Sequence, residues 1–584
     1  MKSVKPAGEQ HSSLEPPYVL ETHVPAPVEE PRPSKKRQRD DEEPQQQSEE
    51  SKSSKKRRRA DAGPQEGAEE LKSSNKRQPG DEDPQKPRES IIQVSTYQPP
   101  NSGPYPGDVP KLNTIPFTPA QVEAIVSGTQ PGLTIIVGPP GTGKTDVAAQ
   151  IVNNIYHDFP EQRTVLIAHS NQALNQLFQK IIKLDIDERH LLRLGHGEED
   201  LETDANYGKY GRVESFLNNR ARFLAEVDRL AANFGAPGAH GNSCETAGYF
   251  ESVYVRPAWS KFWDTADAAE SASEIASAFP FNDYFRDAPQ PIFPFQASRE
   301  QVIDIAIGCQ RHIYKIFSEL EDIRPFEILR TVRDKTNYLM IKEARIIAMT
   351  STHAAMRRQE IADLGFHYEN VVMEEAAQIT EIENFIPMAL QQPKEGELPL
   401  QRIVLCGDHL QNSPIVQNRA FRQFANLEQS LFLRLVRLGV PTIELDRQGR
   451  ARSSIAQLYK WRYRCLDDLP NVKTESEYLA VNAGFRHEYQ FIDVPDYKGQ
   501  GEVQPSPHFI HNLGEAEYAV AIYQYMRLLG YPATKITILT TYAGQRALIR
   551  DVLSHRCARN RIFGMPRLVT TVDKYQGEQN DCKL

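Results

Sequence analysis

The octet G-P-P-G-T-G-K-T, Gly138 to Thr145, has a glycine, four further residues, and then Gly-Lys-Thr. Each type suits a triphosphate. Gly138, Gly141 and Gly143 let backbone N–H groups turn inward around the flanking Thr142 with no Cβ in the way. Lys144 is long enough to reach the β- and γ-phosphates of ATP, and the Thr145 hydroxyl is a ligand for Mg²⁺. A second string, V-V-M-E-E-A-A-Q from Val371 to Gln378, ends an apolar run in two carboxylates. Beside a phosphate loop, Glu374 would hold the Mg²⁺ shell and Glu375 would orient or deprotonate the attacking water. Acid pairs also serve helix starts as plain dipole partners, so the second string takes its meaning from the first.

Both strings need strands to carry them. T-I-I-V precedes the octet, and Val147, Ala148, Ile151, Val152 and Ile155 follow at helical spacing. Strands are predicted at Thr134–Val137, Thr164–Ala168, Arg345–Thr350, Asn370–Met373 and Arg402–Cys406, with a later set at Thr442–Leu445, Ile536–Thr540 and Leu568–Val572. Continuous apolar strands alternating with helices imply parallel sheets covered on both faces. The two sets suggest two α/β units in tandem. Strand signal vanishes between about 190 and 335, where the chain reads as a helical insertion into the first unit. Its aromatics at 279–295 could form an interaction surface but are expected to pack the insertion. Trp461 is expected in the second unit's core.

The first hundred residues differ in kind. They are rich in Pro, Gln, Ser, Glu and Lys, and three units starting at Ser34, Ser54 and Ser74 repeat a basic cluster, acids and P-Q. Without apolar residues to stack, these units cannot form a solenoid, and the segment reads as disordered. Its basic clusters suit nuclear import or a solvated charged tail. The whole chain of 584 residues has net charge −9, so any nucleic-acid binding must rest on local patches. The six scattered cysteines have no paired spacing, which favours free thiols over disulfides or zinc. No apolar run reaches the ~18 residues of a membrane span. The expectation is a soluble, intracellular protein with no membrane partner.

In order along the chain, these strings resemble the motifs of superfamily 1 helicases, in the group that includes the nonsense-mediated-decay helicase. F-T-P-A-Q, ending at Gln121, resembles the motif whose glutamine reads the adenine edge. L-I-A-H-S-N-Q-A-L, with Ser170, Asn171 and Gln172, and A-M-T-S-T, with Thr350, Ser351 and Thr352, resemble motifs that grip a nucleic-acid backbone. G-D-H-L-Q carries Gln411, which would sense the γ-phosphate. Q-G-R-A-R carries Arg450, a candidate arginine finger. T-V-D-K-Y-Q-G-E carries Thr571 toward RNA and Gly577 and Glu578 toward nucleotide. Ser and Asn at such places also suit helix N-caps, and Arg450 and Arg452 also suit a solvated helix start.

The strings H-S-N-Q-A-L-N-Q, M-E-E-A-A-Q-I and N-L-G-E-A-E-Y are similar to the spliceosomal, intron-binding branch of that family. The resemblance implies two RecA-like P-loop units and an RNA-stimulated ATPase acting on single-stranded pre-mRNA introns among spliceosomal proteins in the nucleus. It also implies a helical arm over the RNA path. The expected division is a tail at 1–105, a first unit at 106–190 and 336–435 around the insertion at 191–335, and a second unit at 436–584. Three features depart from the branch: the motif around Gln411 reads G-D-H-L-Q-N-S-P, no helical-repeat platform precedes the core, and the last residues, N-D-C-K-L, fall before a further arginine motif. An incomplete sequence is expected. The alternatives are an ATP-gated RNA clamp or assembly scaffold with weakened catalysis, and a DNA or RNA helicase of the senataxin type.

Overall fold

The computed structural model describes residues 18–23, 91–96 and 103–583, apart from 110, 112, 202, 394–395, 417, 480–481, 508, 576–577 and 579. The tail expected to be disordered lies outside the described residues, save for two strands, β1 (Tyr18–His23) and β2 (Ile91–Thr96). Packing already includes Tyr105, the last residue of the expected tail. The Tyr105 hydroxyl donates to Asp287 at 2.6 Å, and its ring lies 4.9 Å from that of His312.

Among the described residues, seven strands form a parallel sheet: β3 (Gly132–Val137), β4 (Thr164–Ala168), β5 (Leu191–Arg193), β6 (Ile346–Thr350), β7 (Asn370–Glu374), β8 (Arg402–Gly407) and β9 (Ile443–Glu444). Their spatial order is β5-β6-β4-β7-β8-β3-β9. The apolar runs are continuous because both faces are covered. Ile135, Val165, Ile167 and Met373 enter one core, and Ile136, Leu166, Val372 and Cys406 the other. The phosphate-loop strand β3 and the carboxylate strand β7 are not adjacent; β8 lies between them. All three end on the same edge, so their C-terminal loops share one rim.

Two expectations are corrected here. The run Thr442–Leu445 belongs to the first sheet, not the later set: Ile443–Glu444 pairs with β3, and Leu445 N–H donates to Val137 at 2.9 Å. Strand structure also extends past residue 190, because β5 adds an edge to β6. Three residues are too few to show a period in sequence.

The segment after β5 is helical, dominated by the 26-residue helix Lys209–Phe234 and by the 30-residue helix Arg299–Ile328. Its aromatics Phe250, Trp259, Phe262, Phe279, Phe281 and Phe285 are buried in one core with Val165, Ile167 and Met373 of the sheet. The insertion is therefore built onto one face of the sheet, and of the aromatics at 279–295 those up to Phe285 are packing residues, Phe293 packs in part, and Phe295, expected to pack with them, is fully exposed.

Later residues form a parallel pair, β10 (Arg447–Gln448) with β11 (Asp467–Asp468), and a hairpin, β12 (Glu502–Ser506) with β13 (Phe509–Asn512). A three-stranded parallel sheet follows, with β14 (Ile536–Thr540) between β15 (Leu568–Thr571) and β16 (Cys582–Lys583). A separate core joins Val520, Tyr523, Ile538, Leu553 and Val569. Trp461 is not part of it: the residue is 78% exposed. It follows the short helix Ser453–Lys460, and its indole N–H donates back to Leu458 at 2.9 Å, so the ring lies along its own helix.

Candidate functional site

The octet forms the turn between β3 and the helix α2 (Lys144–Asp158; α1 is Pro119–Thr129). Gly138 N–H donates to Gly407 at 3.0 Å, tying the start of the turn to the end of β8. Gly141 and Gly143 have φ of 79° and 74°, in the left-handed region that L side chains rarely adopt. A Cβ on Gly141 would stand 2.6 Å from Arg450 Cβ. The burial of Val147, Ala148, Ile151, Val152 and Ile155 anchors α2 on the sheet, with its N-terminus facing the turn. Lys144 Nζ donates to Gly138 at 2.8 Å.

At the end of β7, Glu374 is 3% exposed, and its Oε1 accepts from the Thr145 hydroxyl at 2.8 Å. Its Oε2 is buried with no hydrogen-bond partner. Burial, and then the charge of Glu375, push the Glu374 carboxyl up to about 7 against the opposing pull of Lys144 and Thr145. Glu375 has a left-handed φ of 53°, a conformation that a non-glycine residue keeps only when its surroundings impose it. Gln378 donates to the Glu375 carboxylate at 2.9 Å. Gln411 and Tyr463 both donate to the buried Asp408, so the residue expected to sense phosphate is steered by a carboxylate three positions before it.

The later part of the chain reaches the same turn. Gly449 N–H donates to the Gly141 carbonyl at 2.9 Å. Buried Gln448 accepts from the N–H groups of Arg450 and Ala451 at 2.9 and 2.8 Å, and donates to Ala451 O and Asp468. That network shapes the bend that presents Arg450. The result is a cleft of about 470 Å³ walled by Pro140 to Thr145 of the octet, Glu374, Glu375, Gln411, Arg450 and, from the segment after β15, Asp573 and Lys574; Gly138 lies off that wall. A glycine turn at a helix N-terminus, two carboxylates and an arginine from a distant segment thus face one space.

A family model described as an AAA domain matches residues 117–419, and a second with the same description matches 427–583. The chain belongs to this AAA domain family of superfamily 1 helicases. It is similar to the Mus musculus RNA helicase aquarius, with 55% identity over 493 residues, which cover 83% of this chain and 33% of that protein. The Schizosaccharomyces pombe pre-mRNA-splicing factor cwf11 is 33% identical over 477 residues, covering 81% of this chain and 36% of that protein. The Schizosaccharomyces pombe ATP-dependent helicase upf1 is 23% identical over 481 residues, covering 81% and 40%. The chain spans about a third of the length of the first two relatives.

Other members of the helicase motif set are placed less uniformly. Ser170 caps α3 (Asn171–Ile182), accepting from Ala173 N–H at 3.2 Å, and Asn171 accepts from Arg193 at 2.8 Å. Gln172 donates to Glu578, and both Ser170 and Gln172 line the cleft of the octet. Thr350 caps the helix Ser351–Met356 and lies off the cleft wall, as do exposed Thr352 and buried Thr571. Ser351 is a correction: it is fully buried as the first residue of that helix, so its hydroxyl is closed to a passing strand. Gln121 is buried and also off the cleft wall. Gly577 lies outside the described residues. Sequence reading passed over Gln378, Gln448 and Lys574. All three stand inside quoted strings, three residues after Glu375, two before Arg450 and three after Thr571. No helix among the described residues is long and apolar enough to cross a membrane.

Proposed function

We propose that this chain is the motor segment of an ATP-dependent RNA helicase that acts on pre-mRNA introns with spliceosomal proteins in the nucleus. One observation carries the reading: the Gly449–Gly141 hydrogen bond sets Arg450 on the wall of the same cleft as Lys144 and the two glutamates. Hydrolysis there is coupled to contact between the two family-matched regions. The 55% identity to an RNA helicase supports RNA over DNA as the strand, and the splicing factor among the relatives supports the intron and the nucleus.

In this reading Gly138, Gly141, Thr142, Gly143 and Lys144 hold the triphosphate. The Thr145 hydroxyl and Glu374 suit a divalent cation, because the buried Glu374 Oε2 lacks any partner and an oxygen-rich pair is what Mg²⁺ takes. The cation, when bound, supplies charge neutralisation at the β- and γ-phosphates. Glu375, steered by Gln378, orients the attacking water and takes its proton. Gln411, held by Asp408, reports on the γ-phosphate, and Arg450 neutralises the charge that develops on it. Ser170, Asn171, Gln172, Thr350, Thr352 and Thr571 are the RNA-facing set, and Gly577 and Glu578 link it to nucleotide. The segments 106–190 and 336–435 make the first unit, 191–335 its insertion and 436–584 the second.

The test is ATP hydrolysis with and without matched single-stranded RNA and DNA. RNA is expected to stimulate, and DNA to stimulate less. Equal rates with no strand, RNA or DNA would remove the helicase reading, and preference for DNA would remove the splicing one.

A further inference from the structure

We propose that Tyr463 is a positioning residue that sets the Gln411 side chain for the terminal phosphate of a nucleoside triphosphate. The proposal rests on the nucleotide reading of the cleft. Gln411 lines that cleft, whereas Asp408 and Tyr463 do not, so any effect of the tyrosine passes through its neighbours.

One carboxylate joins these residues. Asp408 directly follows β8 and is 1% exposed. Its Oδ1 accepts from Leu410 N–H at 3.0 Å. Its Oδ2 accepts twice, from Gln411 Nε2 at 2.5 Å and from the Tyr463 hydroxyl at 2.7 Å. A carboxylate oxygen offers two lone-pair directions. With the tyrosine in one, the glutamine amide is confined to the other. One hydrogen of Nε2 is thereby spent on Asp408, and the second is left for an anion in the cleft. Without the hydroxyl, a second direction opens on Oδ2, and the amide gains a way to turn from the cleft.

Tyr463 has the chemistry for this role. Burial, and then the Asp408 bond, hold its phenol well above the usual range, so the hydroxyl keeps its proton and donates. Its acceptor is a carboxylate, which makes the bond stronger than one between neutral groups. Phenylalanine would fill the same space and give Asp408 nothing.

The tyrosine also belongs to the other family-matched region. Asp408 and Gln411 lie in the first and Tyr463 in the second. Between Arg450 and Tyr463 runs the helix Ser453–Lys460, and Tyr463 N–H donates to Lys460 O at 3.0 Å, closing the turn after it. The start of that helix is tied to the Arg450 bend, because the Ser453 hydroxyl and Gln448 Nε2 both donate to Asp468 at 2.6 Å. One short segment thus brings Arg450 to the cleft and a hydroxyl to Asp408. A shift of the segment moves both phosphate-facing groups, Arg450 directly and Gln411 through the carboxylate.

The experiment measures binding of ADP and of a non-hydrolysable ATP analogue, each with Mg²⁺, to the full chain and its variants. ADP lacks the phosphate that Gln411 would meet. Gln411→Ala is expected to weaken the analogue about tenfold, as for one hydrogen bond to a charged group lost, and to leave ADP within about twofold of wild type. Tyr463→Phe should show the same split, with the analogue weakened at least about threefold and ADP within about twofold. In the Gln411→Ala background, Tyr463→Phe should change neither nucleotide by more than about twofold, because the residue it acts through is gone. Equal losses for both nucleotides would make Tyr463 a packing residue and overturn the proposal. Unchanged binding of the analogue by Tyr463→Phe would overturn it too, as would an undiminished effect in the Gln411→Ala background. Lys144→Ala should bind neither nucleotide. If it binds both normally, the cleft reading fails, whatever Tyr463 does.

Discussion

The Thr145 hydroxyl donates to Glu374 at 2.8 Å, joining residues 229 positions apart in sequence. The bond links the helix after the glycine turn to the strand that ends in two acids. It leaves one Glu374 oxygen buried without a partner, beside a second carboxylate. Such an arrangement costs the folded chain stability and is relieved by a cation.

That cost depends on pH. The Glu374 carboxyl is raised from 4.5 to about 7 in the folded chain. Between those values the folded state keeps a proton that the unfolded state releases. The stability this group contributes is complete below about pH 4.5 and is lost as pH rises through 7. The loss is of order 3 kcal/mol for a shift of that size. Glu374→Gln should therefore raise the melting temperature of the nucleotide-free chain at pH 8 and change it little at pH 4.5. A variant less stable than wild type at pH 8 would contradict this account.

Glu375→Gln keeps the shape of the side chain and its contact with Gln378 but cannot accept a proton. Hydrolysis of ATP in the presence of RNA should fall by roughly 10²–10⁴-fold, with ATP affinity within a few-fold of wild type. Equal turnover by the two proteins would reassign the water-facing role to another residue.

Arg450→Ala should lower turnover by about 10³-fold or more at saturating ATP, the range for loss of an arginine finger. Gly141→Ala should lower it too, for a different reason. Its φ of 79° disfavours alanine, and the new Cβ would press on Arg450 Cβ from 2.6 Å. The arginine would then be displaced while still present. Pairing the two changes discriminates: the double variant should lose less than the product of the two single losses, because displacing residue 450 matters little once its guanidinium is gone. Losses that multiply in full would mean that Gly141 acts without Arg450.

Two tryptophans make a stability test. Trp259 is 1% exposed among the aromatics of the insertion, and Trp461 is 78% exposed. Trp259→Ala should cost about 3–5 kcal/mol. Trp461→Ala should change stability by less than about 0.5 kcal/mol. Chemical denaturation of both variants measures this, and comparable losses would show that Trp461 is covered in solution.

The strands were readable wherever they were long and apolar. Thr164–Ala168 and Ile536–Thr540 have the expected ends, and β3 and β7 differ by a residue or two. Ile443–Glu444 and Leu191–Arg193 were harder, because a strand of two or three residues is defined by the neighbour it pairs with and not by its own pattern. Trp461 was misplaced for a related reason: size and apolarity favour burial on average, while a ring at a helix end can fold back along its own turn.

Read as a string, the chain specifies its phosphate turn, its paired acids and its parallel sheets. Those depend on local steric freedom at glycine, on side-chain type and on short-range periodicity. It does not specify which polar group satisfies which. That the Gln121 amide bonds to the Thr142 carbonyl, that Ser351 is buried and that Gly449 bonds to Gly141 were decided only when distant segments packed. Burial makes each donor and acceptor take the partner within reach, and reach is a property of the folded chain.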